Sequence, residues 1–356
     1  MKKRPLPFDC VALVLQGGGA LGAYQAGVFE GLSEAGIECD WAAGISIGAI
    51  NAALIAGNEP SQRVDRLREF WNTVTSPPLL PATSPWWAHA VEHGGEAART
   101  ALGWFEASRS MLEGQRGFFV PRLPSPVFSA QAASTELSHY DTAPLAATLE
   151  RLVDFDRINH QSGLRLTVSA VNIASGNFEL FDSQRGPWAG RLTSAHIVAS
   201  GALPPAFAAI RIDGEPYWDG GIYSNTPIEA VLDDKPRRDS LIFAVNVWHQ
   251  TGPEPESIWQ VMGRQKDIQY ASRADSHIAR PQQIHHLRHV VRELARQLPA
   301  RQRKSAAIKE LASWGCGTVM HVIPLLASRL DGEDQTKDID FSPAGVRARW
   351  QAGLED

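Results

Sequence analysis

Every position from Cys10 to Leu15 is apolar, and the run ends at Gln16 ahead of three consecutive glycines. A short unbroken apolar run that meets a glycine cluster predicts a central parallel strand buried on both faces. Apolar residues then recur at Leu21, Tyr24, Val28 and Leu32, with Gly36 as a stop signal, which predicts a helix over 21–35. A second strand, predicted over 38–45, runs into Gly44-Ile45-Ser46-Ile47-Gly48, and a second helix over 47–56 is closed by Gly57. Strand, helix, strand and helix in such quick succession predict an α/β fold with a mostly parallel central sheet.

Between residues 75 and 138 this regularity fades. Prolines at 77, 78, 81, 85, 121, 124 and 126 interrupt a stretch carrying Trp86, Trp87, Trp104, Phe105, Phe118 and Phe119. Such an insertion either fills a satellite core with its aromatics or forms a lid or lipid-facing rim, since tryptophan favours membrane interfaces. Alternation resumes over 164–173, where Leu164, Leu166, Val168 and Ala170 interleave with Arg165, Thr167 and Ser169; this predicts a strand, and 241–247 predicts another. Beyond Trp248 the pattern predicts a helix over 284–298, in a neighbourhood rich in Arg and Lys, and a late strand over 320–326. The basic stretch reads as a solvated face, with peripheral contact to an anionic membrane as the alternative. No internal repeat is visible.

Composition narrows the class of protein. Hydrophobic residues make up 44% and charged residues 21%, the balance of a globular chain rather than a disordered one. A net charge of -5 speaks against a surface built to track nucleic acid, so no nucleic-acid partner is expected. Cys10, Cys39 and Cys316 are too scattered for a disulfide framework or a zinc site and read as free thiols. Pro5, Pro7 and Asp9 break up the segment after Met1-Lys2-Lys3-Arg4, and no apolar run approaches the roughly 20 residues that span a bilayer. The expectation is a cytoplasmic location; the oligomeric state stays open.

Three motifs carry candidate chemistry. Gly17-Gly18-Gly19-Ala20-Leu21-Gly22 lies between a predicted strand and helix, where unpaired backbone N–H groups stabilise an anion. Its spacing also fits a dinucleotide-binding loop, which would want an acidic residue such as Asp40 about 20 positions on. Gly44-Ile45-Ser46-Ile47-Gly48 has the strand–turn–helix context of a nucleophile elbow: Ser46 on a strained turn, flanked by glycines because side chains at 44 and 48 would strike neighbouring backbone. Asp219-Gly220-Gly221 reads alone as a simple turn, but a serine nucleophile needs a partner to take its proton.

These three motifs in this order, with Ser200-Gly201-Ala202-Leu203-Pro204-Pro205 and Asn225-Thr226-Pro227, resemble the patatin-like phospholipases over about residues 10–250. The tail, with Lys266-Asp267-Ile268-Gln269-Tyr270 and Lys337-Asp338-Ile339-Asp340-Phe341-Ser342, is similar to an extension of a bacterial subgroup. The resemblance implies a three-layer α/β/α sandwich: a catalytic domain over 10–250 with the insertion at 75–138, and an extension over 251–356 packed on it or continuing it. It also implies a lipid acyl hydrolase with a dyad of Ser46 as nucleophile and Asp219 as base, acting on lipid or other acyl esters without metal or cofactor. Residues 17–22 would form the oxyanion hole, with N–H donors around Gly18, Gly19 and Ala20. Gly44 and Gly48 would shape the elbow, Gly220 and Gly221 the dyad loop, and Asn225 would orient the carboxylate or stabilise its turn. Leu21 stands where many plant members carry a basic residue, which keeps the backbone donors and removes a charge near the oxyanion.

This chemistry makes a demand on Asp219. A free aspartate, with a pKa of about 3.9, is a poor base at neutrality, so its carboxyl must be desolvated. Three alternatives stay open at this point. The same machinery could cleave other intracellular esters, such as polyhydroxyalkanoate oligomers or thioesters. A Ser-His-Asp triad could recruit His249, His277, His285, His286, His289 or His321. The glycine loop could instead serve a dinucleotide-dependent oxidoreductase.

Overall fold

The computed structural model describes residues 6–75, 110, 112–123, 133–160, 163–330, 333 and 335–356, with the side chains of 272–281 excepted. Trp86, Trp87, Trp104 and Phe105 of the insertion lie outside the described residues, as does the side chain of His277. The strands are β1 (Cys10–Leu15), β2 (Trp41–Gly44), β3 (Val120–Pro121), β4 (Tyr140–Asp141), β5 (Arg165–Asn172), β6 (Phe178–Asp182), β7 (Ile210–Ile212), β8 (Glu215–Asp219), β9 (Ser240–Asn246) and β10 (Met320–Leu326). Eight of them form one sheet in the order β10-β9-β1-β2-β5-β8-β7, with β6 also on β5; β3 and β4 make a separate ribbon. The five strands from β10 to β5 are mutually parallel, whereas β6, β7 and β8 join as antiparallel additions.

The unbroken apolar run of β1 is explained by its position. Val11, Leu13 and Leu15 face a large core shared with α1 (Gly22–Glu34) and α2 (Ile47–Ala56), while Cys10, Ala12 and Val14 face a second core under the short helix Ile228–Leu232. A strand with helices on both faces cannot alternate apolar with polar. Helices on both sides of the sheet make the three layers.

Residues beyond 250 build onto the same framework. β10 extends the sheet alongside β9, and the helix Pro343–Glu355 packs on α1 at backbone distance. A Cβ on Gly27 would overlap the Trp350 carbonyl, and one on Gly353 the Tyr24 carbonyl, so small residues permit the approach. Trp350 Nε1 donates to Glu30 Oε2 at 2.5 Å across the same seam.

Two expectations change in extent. β2 begins at Trp41, leaving Asp40 before the strand rather than inside it. The helix predicted over 284–298 is the end of a 40-residue helix, Ile258–Gln297. Its outer surface mixes exposed apolar and charged residues, and Pro281 reads as a helix start, so the sequence hides the first half.

Candidate active site

Ser46 sits between β2 and α2 with φ 55° and ψ -124°, in the left-handed region that costs a non-glycine residue about 1–3 kcal/mol. Its glycine neighbours explain how the turn closes: a Cβ on Gly44 would overlap Gly48 O, and one on Gly48 would overlap Leu15 O. The Ser46 N–H reaches both Ser200 O and Ser200 Oγ at 3.1 Å, which fixes the elbow from the facing helix Ser194–Ser200.

Asp219 comes to Ser46 through β5. β2 pairs with Arg165–Val168 of β5 and ends at Gly44, opposite Val168. β8 pairs with Ala170–Asn172 and ends at Asp219, opposite Ala170. Because β6 covers Thr167–Val171, both β2 and β8 must lie along the other edge of β5, running toward each other. Their ends therefore meet, one delivering Asp219 and the other, two residues on, Ser46.

The Asp219 residue is 2% exposed. Its Oδ1 accepts Gly221 N–H at 2.7 Å, its own N–H donates to Ala202 O at 3.0 Å, and it lines the same cavity as Ser46. Burial pushes the carboxyl up from 3.8 to about 7, against the downward pull of the Gly221 N–H and the Ser46 side chain. A Cβ on Gly220 would come within 2.7 Å of Ser169 O, and one on Gly221 within 3.1 Å of Asp219 Oδ1, so both glycines are fitted to this corner.

The glycine loop passes over the same spot, and its amides divide into two groups. Gly17 N–H donates to Asn225 O at 3.1 Å, Ala20 N–H to Asp338 O at 2.8 Å, Leu21 N–H to Gly18 O at 3.1 Å, and Gly22 N–H to Gly19 O. Among the described residues no acceptor engages the N–H of Gly18 or Gly19. The expected donor set thus narrows: Ala20 is removed because its amide is spent on the tail of the chain. Asn225 is tied to the loop rather than to Asp219, its Nδ2 donating to Gly17 O at 3.0 Å.

Several residues that the motifs did not flag hold this loop. Gln16 is fully buried; its Oε1 accepts Val247 N–H at 2.6 Å and Trp248 N–H at 3.2 Å, and its Nε2 donates to Thr226 Oγ1 at 3.0 Å. Gln25 Nε2 donates to Gln16 O at 2.6 Å, Asn51 Nδ2 to Gln25 Oε1 at 3.0 Å, and Trp71 Nε1 to Asn51 Oδ1 at 3.1 Å. Trp248 Nε1 adds a second donor to Gly17 O at 2.8 Å. A buried polar chain of this kind is stable only when each member is satisfied. Polar residues inside an α/β core were the available signal.

A cavity of about 240 Å³ opens over Ser46, Asp219 and Gly17–Gly19. Its walls are chiefly apolar, with Phe118, Phe119, Phe207, Phe341, Tyr140 and Trp248 among them. Phe118 and Phe119 belong to the insertion and are packed against Phe207, with ring centroids 6.1 and 5.3 Å from it. Among the described residues no histidine lines this cavity. His285 and His289 both point at Thr318 O, at 3.0 and 2.6 Å, and His321 packs on Phe8. Among the described residues, then, no histidine supplies the third member of a triad. Asp40 accepts Val11 N–H at 2.8 Å, at the far end of β1 from the glycine loop, so it is out of reach of anything bound there. Among the described residues no cluster of three His, Cys, Asp or Glu side chains is placed to hold a metal ion.

Comparison with known proteins gives matches along most of the chain. A family model described as patatin-like phospholipase matches residues 13–232, and one described as patatin phospholipase matches 268–356. The mouse (Mus musculus) patatin-like phospholipase domain-containing protein 6 is 41% identical over 85 residues, 23% of this chain and 6% of that protein. An uncharacterised NTE family protein of Mycobacterium tuberculosis is 37% identical over 111 residues, 31% of this chain and 18% of its own length. This chain thus spans less than a fifth of either relative. Among solved structures, VipD from Legionella pneumophila aligns over 98% of this chain and 66% of its own, with 14% identity and a TM-score of 0.39.

Proposed function

The chain belongs to the patatin-like phospholipases, and on that premise we propose that it is a serine acyl-ester hydrolase, with Ser46 as nucleophile, Asp219 as general base and lipid acyl esters as substrates. The observation that carries this reading is the carboxyl of Asp219, buried, raised to about 7 and lining one cavity with a hydroxyl held on a strained turn. Desolvation gives a carboxylate the basicity that histidine supplies in a triad. The apolar cavity beside it suits an acyl chain better than a polar substrate.

In the proposed cycle Ser46 Oγ attacks the ester carbonyl as its proton passes to Asp219. The carbonyl oxygen becomes an oxyanion facing the N–H groups of Gly18 and Gly19. Collapse expels the alcohol, which takes the proton from Asp219 and leaves an acyl group on Ser46. Water then attacks the acyl-enzyme while Asp219 takes its proton, and collapse returns that proton to Ser46 Oγ and frees the acid. Loss of one oxyanion donor costs roughly 2.7–4 kcal/mol in comparable sites, so the loop matters as much as the dyad.

A fluorophosphonate probe with peptide mass mapping tests the nucleophile: the adduct is expected on Ser46 and absent in Ser46→Ala. Phospholipid and p-nitrophenyl ester hydrolysis test the reaction. Labelling at another serine, or undiminished hydrolysis by Ser46→Ala, would overturn the assignment.

A further inference from the structure

Lys266-Asp267-Ile268 and Lys337-Asp338-Ile339 repeat one pattern, and the ester chemistry above gives it no role. The two stretches pair crosswise. Lys266 Nζ donates to both carboxylate oxygens of Asp338 at 2.7 and 2.9 Å, and Lys337 Nζ to Asp267 Oδ1 at 2.7 Å. Lys266 also donates to Gln335 O at 2.9 Å, so one ammonium holds the 335–341 strap at two points.

The strap lies directly on the glycine loop. Asp338 O accepts the Ala20 N–H at 2.8 Å, and a Cβ on Gly19, which has φ 56°, would overlap that same carbonyl. Asp338, Ile339 and Phe341 continue into the wall of the cavity that contains Ser46 and Asp219. At the other end of the loop, Trp248 Nε1 holds Gly17 O, and Lys337 Nζ lies 5.2 Å from the Trp248 ring. Gly17 and Ala20 are thus both anchored, and the two amides between them are the ones left without an acceptor among the described residues.

We propose that the crossed Lys266–Asp338 and Lys337–Asp267 pairs position the oxyanion loop, by holding the Asp338 main chain against Ala20 so that Gly18 and Gly19 N–H face the reacting carbonyl. This rests on the hydrolase reading above. Lys266 and the Asp338 side chain are positioning residues: they touch no reacting atom, and they act through a main-chain carbonyl. Because donor alignment is felt most by the oxyanion, loosening the strap acts on the transition state more than on the bound ester.

The full chain tests this with p-nitrophenyl butyrate and a fluorophosphonate. Lys266→Met and Asp338→Ala are expected to lower kcat roughly 10- to 100-fold with KM changed less than about 3-fold. The rate of Ser46 phosphonylation is expected to fall in parallel, since the phosphonyl oxygen needs the same donors. Lys266→Arg, which keeps the cation, is expected to restore most of the kcat lost in Lys266→Met. The Lys266 and Asp338 side chains are 33% and 20% exposed, so both variants are expected to fold with melting temperatures near wild type. Unchanged kcat in both variants, a loss confined to KM or to melting temperature, or an arginine variant as impaired as the methionine one would each overturn the proposal. A Ser46→Ala control separates the two failures: if it still turns over, the hydrolase reading falls; if it is dead while Lys266→Met is normal, only the positioning role falls.

Discussion

Asp219→Asn is expected to stop turnover and, above pH 7, to make the folded protein harder to unfold. The wild-type residue is 2% exposed, and burial pushes its carboxyl up from 3.8 to about 7 in the folded chain. A raised carboxyl pKa means that folding favours the protonated form, so the folded state is unpenalised below about pH 3.8. Stability is then lost progressively as pH rises through 7. A span of about three pH units at about 1.4 kcal/mol each gives a penalty of about 4 kcal/mol above pH 7. Asparagine has the same shape, can accept from Gly221 N–H and face the Ser46 hydroxyl, and carries no charge to desolvate. Urea unfolding of both proteins from pH 4 to pH 8.5 measures the difference. Near pH 4 the two curves are expected to approach one another, and by pH 8 the variant is expected to lead by up to about 4 kcal/mol, since other titrating groups cancel in the comparison. A gap independent of pH, or a wild type that is the more stable at pH 8, would refute the argument that desolvation sets the basicity of this group.

The same group governs rate: kcat/KM is expected to rise about tenfold per pH unit up to roughly pH 7 and then level, and a limb near pH 4 would contradict it. Ser46→Gly, which relieves the positive φ, is expected to abolish turnover while gaining about 1 kcal/mol in urea unfolding; a loss of stability would count against strain at this turn. Gln16→Met leaves the buried Val247 and Trp248 amides without their acceptor, at roughly 1–3 kcal/mol each, and is expected to lower the urea midpoint clearly. An unchanged midpoint would mean that the polar chain under the loop is not structural.

The elbow was legible because its constraints fall on side chains. Gly44 and Gly48 are glycines for want of space, and the β1 run is apolar because both faces are covered. The helix over 47–56 and the strand over 320–326 stand where their patterns predict them. What stayed hidden depends on the main chain or on context. β8 is Glu215-Pro216-Tyr217-Trp218-Asp219, too short and polar to alternate, and its antiparallel entry into a parallel sheet has no local mark. The acceptor for the Ala20 amide is a carbonyl more than three hundred residues away, and a carbonyl leaves no trace in residue identity. Gln16 looked like the polar end of a strand and is instead the hub of a buried network.

Because β2 and β8 both end on one edge of β5, that strand serves as a ruler for the proposed reaction. Val168 and Ala170 are two positions apart, about 6.6 Å along a strand, and the ladder rather than any side-chain packing sets this offset. A slip of β8 by one residue would turn the carboxylate to the opposite face, so misregistration abolishes the pairing at once instead of weakening it by degrees. Loops between the two strands, by contrast, are free to grow or shrink without changing the gap, provided both ends return to the same two marks.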